Sequence, residues 1–139
     1  MAEFTEKQIK RIVEVANGLD MSLRRLLRHD EAWTLTADAG DNTRDFPRLG
    51  PNRLMVVTHM SVHDVNNAPT YIRLGFWNRT RYVWVHIQPA PLVLETVEFN
   101  GELVLTEDMW AAVQLNGVTA NDDIYGLIQG YWIEIPRIS

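Results

Sequence analysis

The stretch Leu92-Val93-Leu94-Glu95-Thr96-Val97-Glu98-Phe99-Asn100-Gly101-Glu102-Leu103-Val104-Leu105 decides the fold class. It is rich in β-branched and aliphatic residues and is interrupted by one Asn-Gly step. Asn-Gly between such runs is the strongest short-range hairpin signal, because both residues tolerate positive φ. The expected arrangement is two strands, Leu92 to Phe99 and Glu102 to Leu105, around a turn at Asn100-Gly101.

Working outward, the same texture continues in both directions. Upstream, Leu54 to His63 reads as a strand closed by Asn66-Asn67-Ala68-Pro69. Tyr71 to Trp77 and Arg81 to Ile87 read as a hairpin around Asn78-Arg79-Thr80. Gln88-Pro89-Ala90-Pro91 ends it, since proline has no N–H to give a ladder. Downstream, Met109 to Leu115 precedes a second Asn-Gly step at Asn116-Gly117, and Ile124 to Ile135 follows with a bend expected at Gly130. About seven or eight strands with turn signals roughly every 8–12 residues specify an antiparallel β-sandwich or barrel. No helix-length segment separates them, which excludes a parallel α/β sheet.

The N-terminal third reads differently. Thr5 and Gln8 form a capping box, with Phe4 and Ile9 placed as a hydrophobic staple. Ile9, Ile12, Val13 and Ala16 then follow helical spacing to a stop at Asn17-Gly18. A second short helix is expected from Asp20 or Ser22 to about His29, with Leu23, Leu26 and Leu27 on one side and Arg24, Arg25 and Arg28 on the other. Residues 30–53 lose periodicity and read as an extended linker. Residues 1–53 are thus expected to form a helical arm and linker, and residues 54–139 the β-sandwich domain. Ile9, Ile12, Val13, Leu23, Arg24, Arg25, Leu26 and Arg28 are the candidate partner-binding residues of the arm. The basic face is also compatible with plain solvated surface.

Charge separates the two parts. Residues 1–53 carry nine Lys/Arg and nine Asp/Glu, a balance of zero, whereas residues 54–139 carry four and nine, a balance of −5. Nucleic-acid binding by the β part would meet phosphate repulsion and is not expected. No apolar run of about 18 residues is present, so no membrane-spanning helix is expected. The polar start Met1-Ala2-Glu3-Phe4-Thr5-Glu6-Lys7 is unlike a signal peptide. The chain has no cysteine, which removes disulfides, thiolate metal sites and cysteine nucleophiles.

Little in the sequence supports catalysis. His59 and His63 share strand parity, with Asp64 beside them, but lie about 13 Å apart on a strand, too far to chelate one ion. The serines are Ser22, Ser61 and Ser139, and none lies in a nucleophile elbow. Glu95 and Glu98, Glu107-Asp108 and Asp122-Asp123 flank turns or polar strand positions. Asn121-Asp122-Asp123 offers oxygen ligands without an EF-hand pattern. Neither a catalytic residue, a metal site nor a cofactor is expected. Ten aromatic residues fall in the β part, and Trp84, Trp110 and Trp132 are the candidate surface aromatics, for stacking on sugars or for protein contacts. Core and edge packing is the alternative reading of the same residues.

The run from Asn100 through Thr106-Glu107-Asp108 to Val113, then Gly117-Val118-Thr119-Ala120-Asn121-Asp122-Asp123 and Ile128-Gln129-Gly130-Tyr131-Trp132-Ile133-Glu134-Ile135, resembles the closing strands of small jelly-roll virion proteins of tailed bacteriophages. These include capsid decoration (cement) proteins and head-fibre or neck components. The resemblance covers roughly residues 54–139. It implies a jelly-roll-like sandwich with a non-enzymatic structural role in a virion, made in the host cytoplasm. It further implies a homo-oligomer, a trimer by preference, and an arm docked on the major capsid or neck proteins. A carbohydrate- or ligand-binding β-sandwich module is the alternative.

Overall fold

The computed structural model describes residues 27–134 and contains eight antiparallel strands. These are β1 (Leu27–Thr36), β2 (Gly40–Asp45), β3 (Arg53–Asp64), β4 (Tyr71–Trp77), β5 (Tyr82–Pro89), β6 (Val97–Leu105), β7 (Trp110–Val118) and β8 (Asp123–Glu134). They form two four-stranded sheets with orders β1-β8-β3-β6 and β2-β7-β4-β5. The mainly β, antiparallel sandwich expected from turn spacing is what the chain forms. Only the β4–β5 connection joins neighbours in one sheet; every other connection crosses between sheets.

The core follows from strand parity. Alternate residues point to opposite sheet faces, and the inward set carries the apolar load: Met55, Val57, Met60 and Val62 from β3, Ile72 and Leu74 from β4, Ala111, Val113 and Leu115 from β7, and Ile124 and Ile128 from β8. Both sheets feed one core cluster, so the two layers stabilise each other. Leu49, in the segment between β2 and β3, is also fully buried and bonds through its backbone to Met109 and Asp108.

Three features depart from the sequence reading. First, residues 27–29, expected to end a helix, start β1. The expected linker then supplies the rest of β1 and all of β2. The boundary placed between residues 53 and 54 therefore does not separate the sandwich from what precedes it. The remainder of the helical arm, residues 1–26, lies outside the described residues.

Second, Asn100-Gly101 is no hairpin. β6 runs straight through it, pairing Met55, Val56 and Val57 with Leu105, Val104 and Leu103, then His59 and Met60 with Asn100 and Phe99. Gly101 and Glu102 oppose the single residue Thr58, a bulge rather than a turn. The twelve-residue β3 offers a continuous partner, and that long-range ladder overrides the local turn preference.

Third, Asn116-Gly117, expected to follow a strand ending at Leu115, lies inside β7, which runs on to Val118. Gly117 has φ +69, and a Cβ there would collide with the Thr70 side chain, so the position needs glycine for both backbone and space.

Candidate functional site

The largest concentration of partly exposed aromatic side chains lies on the outer face of the β2-β7-β4-β5 sheet. Register puts Trp77 opposite Trp110 and Tyr82, and Gly75 opposite Ala112 and Trp84. These side chains form a ladder. Trp110 stacks on Trp77 (5.3 Å, 10°), Trp77 meets Tyr82 edge-on (5.0 Å, 72°), and Tyr82 stacks on Trp84 (5.2 Å, 10°). The Arg73 guanidinium continues it, 5.4 Å from the Trp84 ring and 4.5 Å from the Tyr71 ring. Parity explains the assembly: Tyr71, Arg73, Trp77, Tyr82, Trp84 and Trp110 occupy outward positions on three adjacent strands.

Asp45 on β2 pins one end of the ladder. One of its oxygens accepts from both the Tyr82 hydroxyl (2.8 Å) and the Trp110 indole N–H (3.0 Å). Burial, and then the adjacent Asp45 carboxylate, push the Tyr82 phenol above its ordinary value. At the other end the Arg73 guanidinium donates to the Tyr71 hydroxyl, and Tyr71, Arg73 and Ile87 line an open depression of about 240 Å³.

This geometry limits the chemistry on offer. Sugar-stacking platforms need a free aromatic face. Here Trp77, Tyr82 and Trp84 each have ring or guanidinium neighbours on two sides.

A second surface lies along the free edge of the same sheet. Among the described residues β5 has a neighbour on one side only. Val85 (40 % exposed) and Ile87 (52 %) project from it, and the connection to β6 adds Leu92 (72 %), Val93 (43 %) and Leu94 (59 %). Val85 is the extra residue of a bulge in β5, between the pairs Leu74↔His86 and Gly75↔Trp84. Leu94 has φ +64, a left-handed conformation that costs a bulky residue about 1–2 kcal/mol. Its N–H is tied to the Asp64 carbonyl at 2.9 Å.

The candidate residues from the sequence fall in different places. Ile9, Ile12, Val13, Leu23, Arg24, Arg25 and Leu26 lie outside the described residues. Arg28 lies on the exposed side of β1, bonded to Asp30 at 2.7 Å and paired in register with Tyr131. Trp84 and Trp110 belong to the outer ladder. Trp132 turns inward, packing against the core and edge-on to His29 at 5.5 Å, so it is no surface platform. His59 bonds Asn100 at 2.8 Å and His63 stacks on Tyr125 at 5.9 Å. Among the described residues no group of three His, Cys, Asp or Glu is placed to hold a metal ion.

Sequence reasoning missed two things here. The β5 edge cluster was visible only as a strand end and a proline stop. Asp64, next to His63 in the sequence, points to the opposite face, into the core. Counted from Met60 and Val62, its parity is inward, and that signal was available.

No protein-family model matches the sequence, and no curated protein matches it. Among solved structures, the NLP core of Drosophila, described in terms of pentamer formation and histone binding, is 16 % identical over 76 % of this chain and 98 % of that one, with a TM-score of 0.39. Bacillus endospore appendages, described as a family of disulfide-linked pili, are 9 % identical over 80 % and 89 %, with a TM-score of 0.47. Neither is a phage protein, and neither likeness bears on what this chain does.

Proposed function

We propose that the protein is a non-enzymatic structural module that works by protein–protein contact, with the free edge of β5 and the Leu92–Leu94 segment as its contact surface. The observation that carries this reading is Leu94, a large aliphatic residue held exposed at positive φ where glycine would be less costly. Strain of this kind persists where the side chain has a use. Val85, Ile87, Leu92 and Val93 extend the surface, and residues 89–94 carry no charge that would select an oppositely charged partner. A second copy of this chain is the occupant that fits: a strand edge open among the described residues and several exposed aliphatic side chains are what symmetric assemblies cover.

The strand orders β1-β8-β3-β6 and β2-β7-β4-β5 suit a jelly roll, an eight-stranded plan used by viral capsid and lectin domains among others. With the resemblance of residues 54–139 to phage decoration, head-fibre and neck proteins, this supports a virion role, the homo-oligomer binding capsid or neck proteins. A carbohydrate-binding role is the weaker reading, because Trp77, Tyr82 and Trp84 each already have ring or guanidinium neighbours on two sides. Sedimentation of the full chain over a concentration series tests the proposal. A discrete oligomer, a trimer by preference, is expected; a single-chain mass at the highest concentrations would contradict it.

A further inference from the structure

At the end of the sandwich where β3 stops and β8 begins, two carboxyl groups are buried together. Asp64 is 1 % exposed and Asp122 is 3 % exposed. One oxygen of each is well satisfied. Asp64 Oδ1 accepts from the Asn66 and Asn67 backbone N–H groups at 3.0 and 3.1 Å, and Asp122 Oδ1 accepts from Asn67 Nδ2 at 2.7 Å. The other oxygens, Asp64 Oδ2 and Asp122 Oδ2, are buried and have no hydrogen-bond donor among the described residues.

Among the described residues no counter-ion is at hand. Four connections meet at this end: residues 37–39, 65–70, 90–96 and 119–122. None contains lysine or arginine. Their other titratable groups are Asp38 and Glu95, with Asp123 at the start of β8 and His63 on β3 beside Asp64, on the outer face against Tyr125. Two bare carboxylates would be desolvated, mutually repelled and surrounded by more acid, a combination that strongly disfavours the doubly charged pair. One proton resolves both deficits, because a protonated carboxyl becomes a donor to its neighbour.

We infer that Asp64 and Asp122 hold one proton between them in the folded protein, forming a latch that ties the connections at this end of the sandwich together. The backbone around the pair makes the ties: Leu94 N–H to Asp64 C=O and Ala37 N–H to Asp122 C=O, both 2.9 Å, and Val65 N–H to Asp123 C=O at 3.0 Å. Burial raises the Asp64 carboxyl above its ordinary value, the two backbone N–H groups pull against this, and Asp122 adds to the rise. A carboxyl whose folded value is raised contributes stability that is fully present below its unfolded value. That stability is lost as pH rises through the folded value. The latch therefore weakens toward higher pH, opposite to a salt-bridged aspartate.

Denaturant unfolding of the full chain across pH 4–8, for wild type, Asp64→Asn and Asp122→Asn, tests the inference. Either amide can donate to the remaining carboxylate without a proton. Each variant should therefore flatten the decline in the unfolding midpoint with rising pH and exceed wild type at pH 8. Just above the ordinary carboxylate range, wild type should release about one more proton on unfolding than either variant. Unchanged pH dependence in both variants would overturn the latch. So would an Asp64-dependent gain in wild-type midpoint with Ca²⁺ that EDTA reverses, since a cation would then occupy the pair. If the variants fail to fold, carboxyl ¹³C titration of wild type decides: two coupled steps, one above the ordinary range, support the latch, and two independent ordinary steps overturn it.

Discussion

Trp33 and Gly126 are register partners across β1 and β8, and the indole occupies the space where any other residue at 126 would place its Cβ. A Cβ built there would stand well inside 3.0 Å of Trp33 Cε2 and Cζ2. Trp33 is 4 % exposed and meets Phe46 edge-on at 6.0 Å, so this contact helps fasten the edge strand β1 to the sandwich.

Gly126→Ala should therefore overpack the site and cost about 1–3 kcal/mol. Trp33→Ala should cost more, about 3–5 kcal/mol, by opening a cavity. Urea unfolding of both variants and of the double variant checks this. The double variant should be less destabilised than the sum of the two, because the collision with the indole is then gone and only the close contact with the Ser61 carbonyl oxygen, at 2.7 Å, remains.

Asp45→Asn should lower the Tyr82 phenol toward its ordinary value by removing the charge beside it, while burial keeps part of the rise. Ultraviolet titration against a Tyr82→Phe control reads the shift. Because the folded Tyr82 value is raised, wild-type stability should fall as pH climbs from the ordinary tyrosine value through the folded one. Asp45→Asn should fall less steeply.

Leu94→Gly should raise stability by up to about 1 kcal/mol. It relieves a left-handed backbone, and the leucine is 59 % exposed and loses little burial. If the side chain serves in contact, the same substitution should weaken self-association. Thermal unfolding and sedimentation of one sample separate the two effects.

The legibility of this fold in the sequence varied with hydrophobic period. β3, β4, β7 and β8 are readable because their inward positions are mostly apolar and their ends carry Asn, Pro or Gly, and β5 because aliphatic and other residues alternate along it, although its bulge sends Ile87 outward and His86 and Gln88 inward. β1 hid because its first inward positions include His29 and Glu31, leaving alternation only at Trp33 and Leu35. β2, Gly40-Asp41-Asn42-Thr43-Arg44-Asp45, has no apolar residue. Its place comes from pairing with β7 and from Asn42, whose side chain bonds the Asp38 backbone both ways, at 3.0 and 2.8 Å. Periodicity is blind to such a strand. Trp84 and Trp110 lie on the outer face, and their stacking on Tyr82 and Trp77 depends on which strands become neighbours, which the sequence does not show. Trp132 was misplaced because adjacent aromatics at Tyr131 and Trp132 leave the choice of face to the ladder, and pairing with Met55 sends Trp132 inward.

The claim that the β5 edge and the Leu92–Leu94 segment form the working surface is tested most directly by light scattering on the full chain. Wild type is compared with an Ile87→Glu/Leu92→Glu variant, both residues being exposed enough to change without disturbing the core. The account predicts a discrete oligomer for wild type and a single-chain mass for the folded variant. An oligomer of equal mass and concentration dependence in both would contradict it.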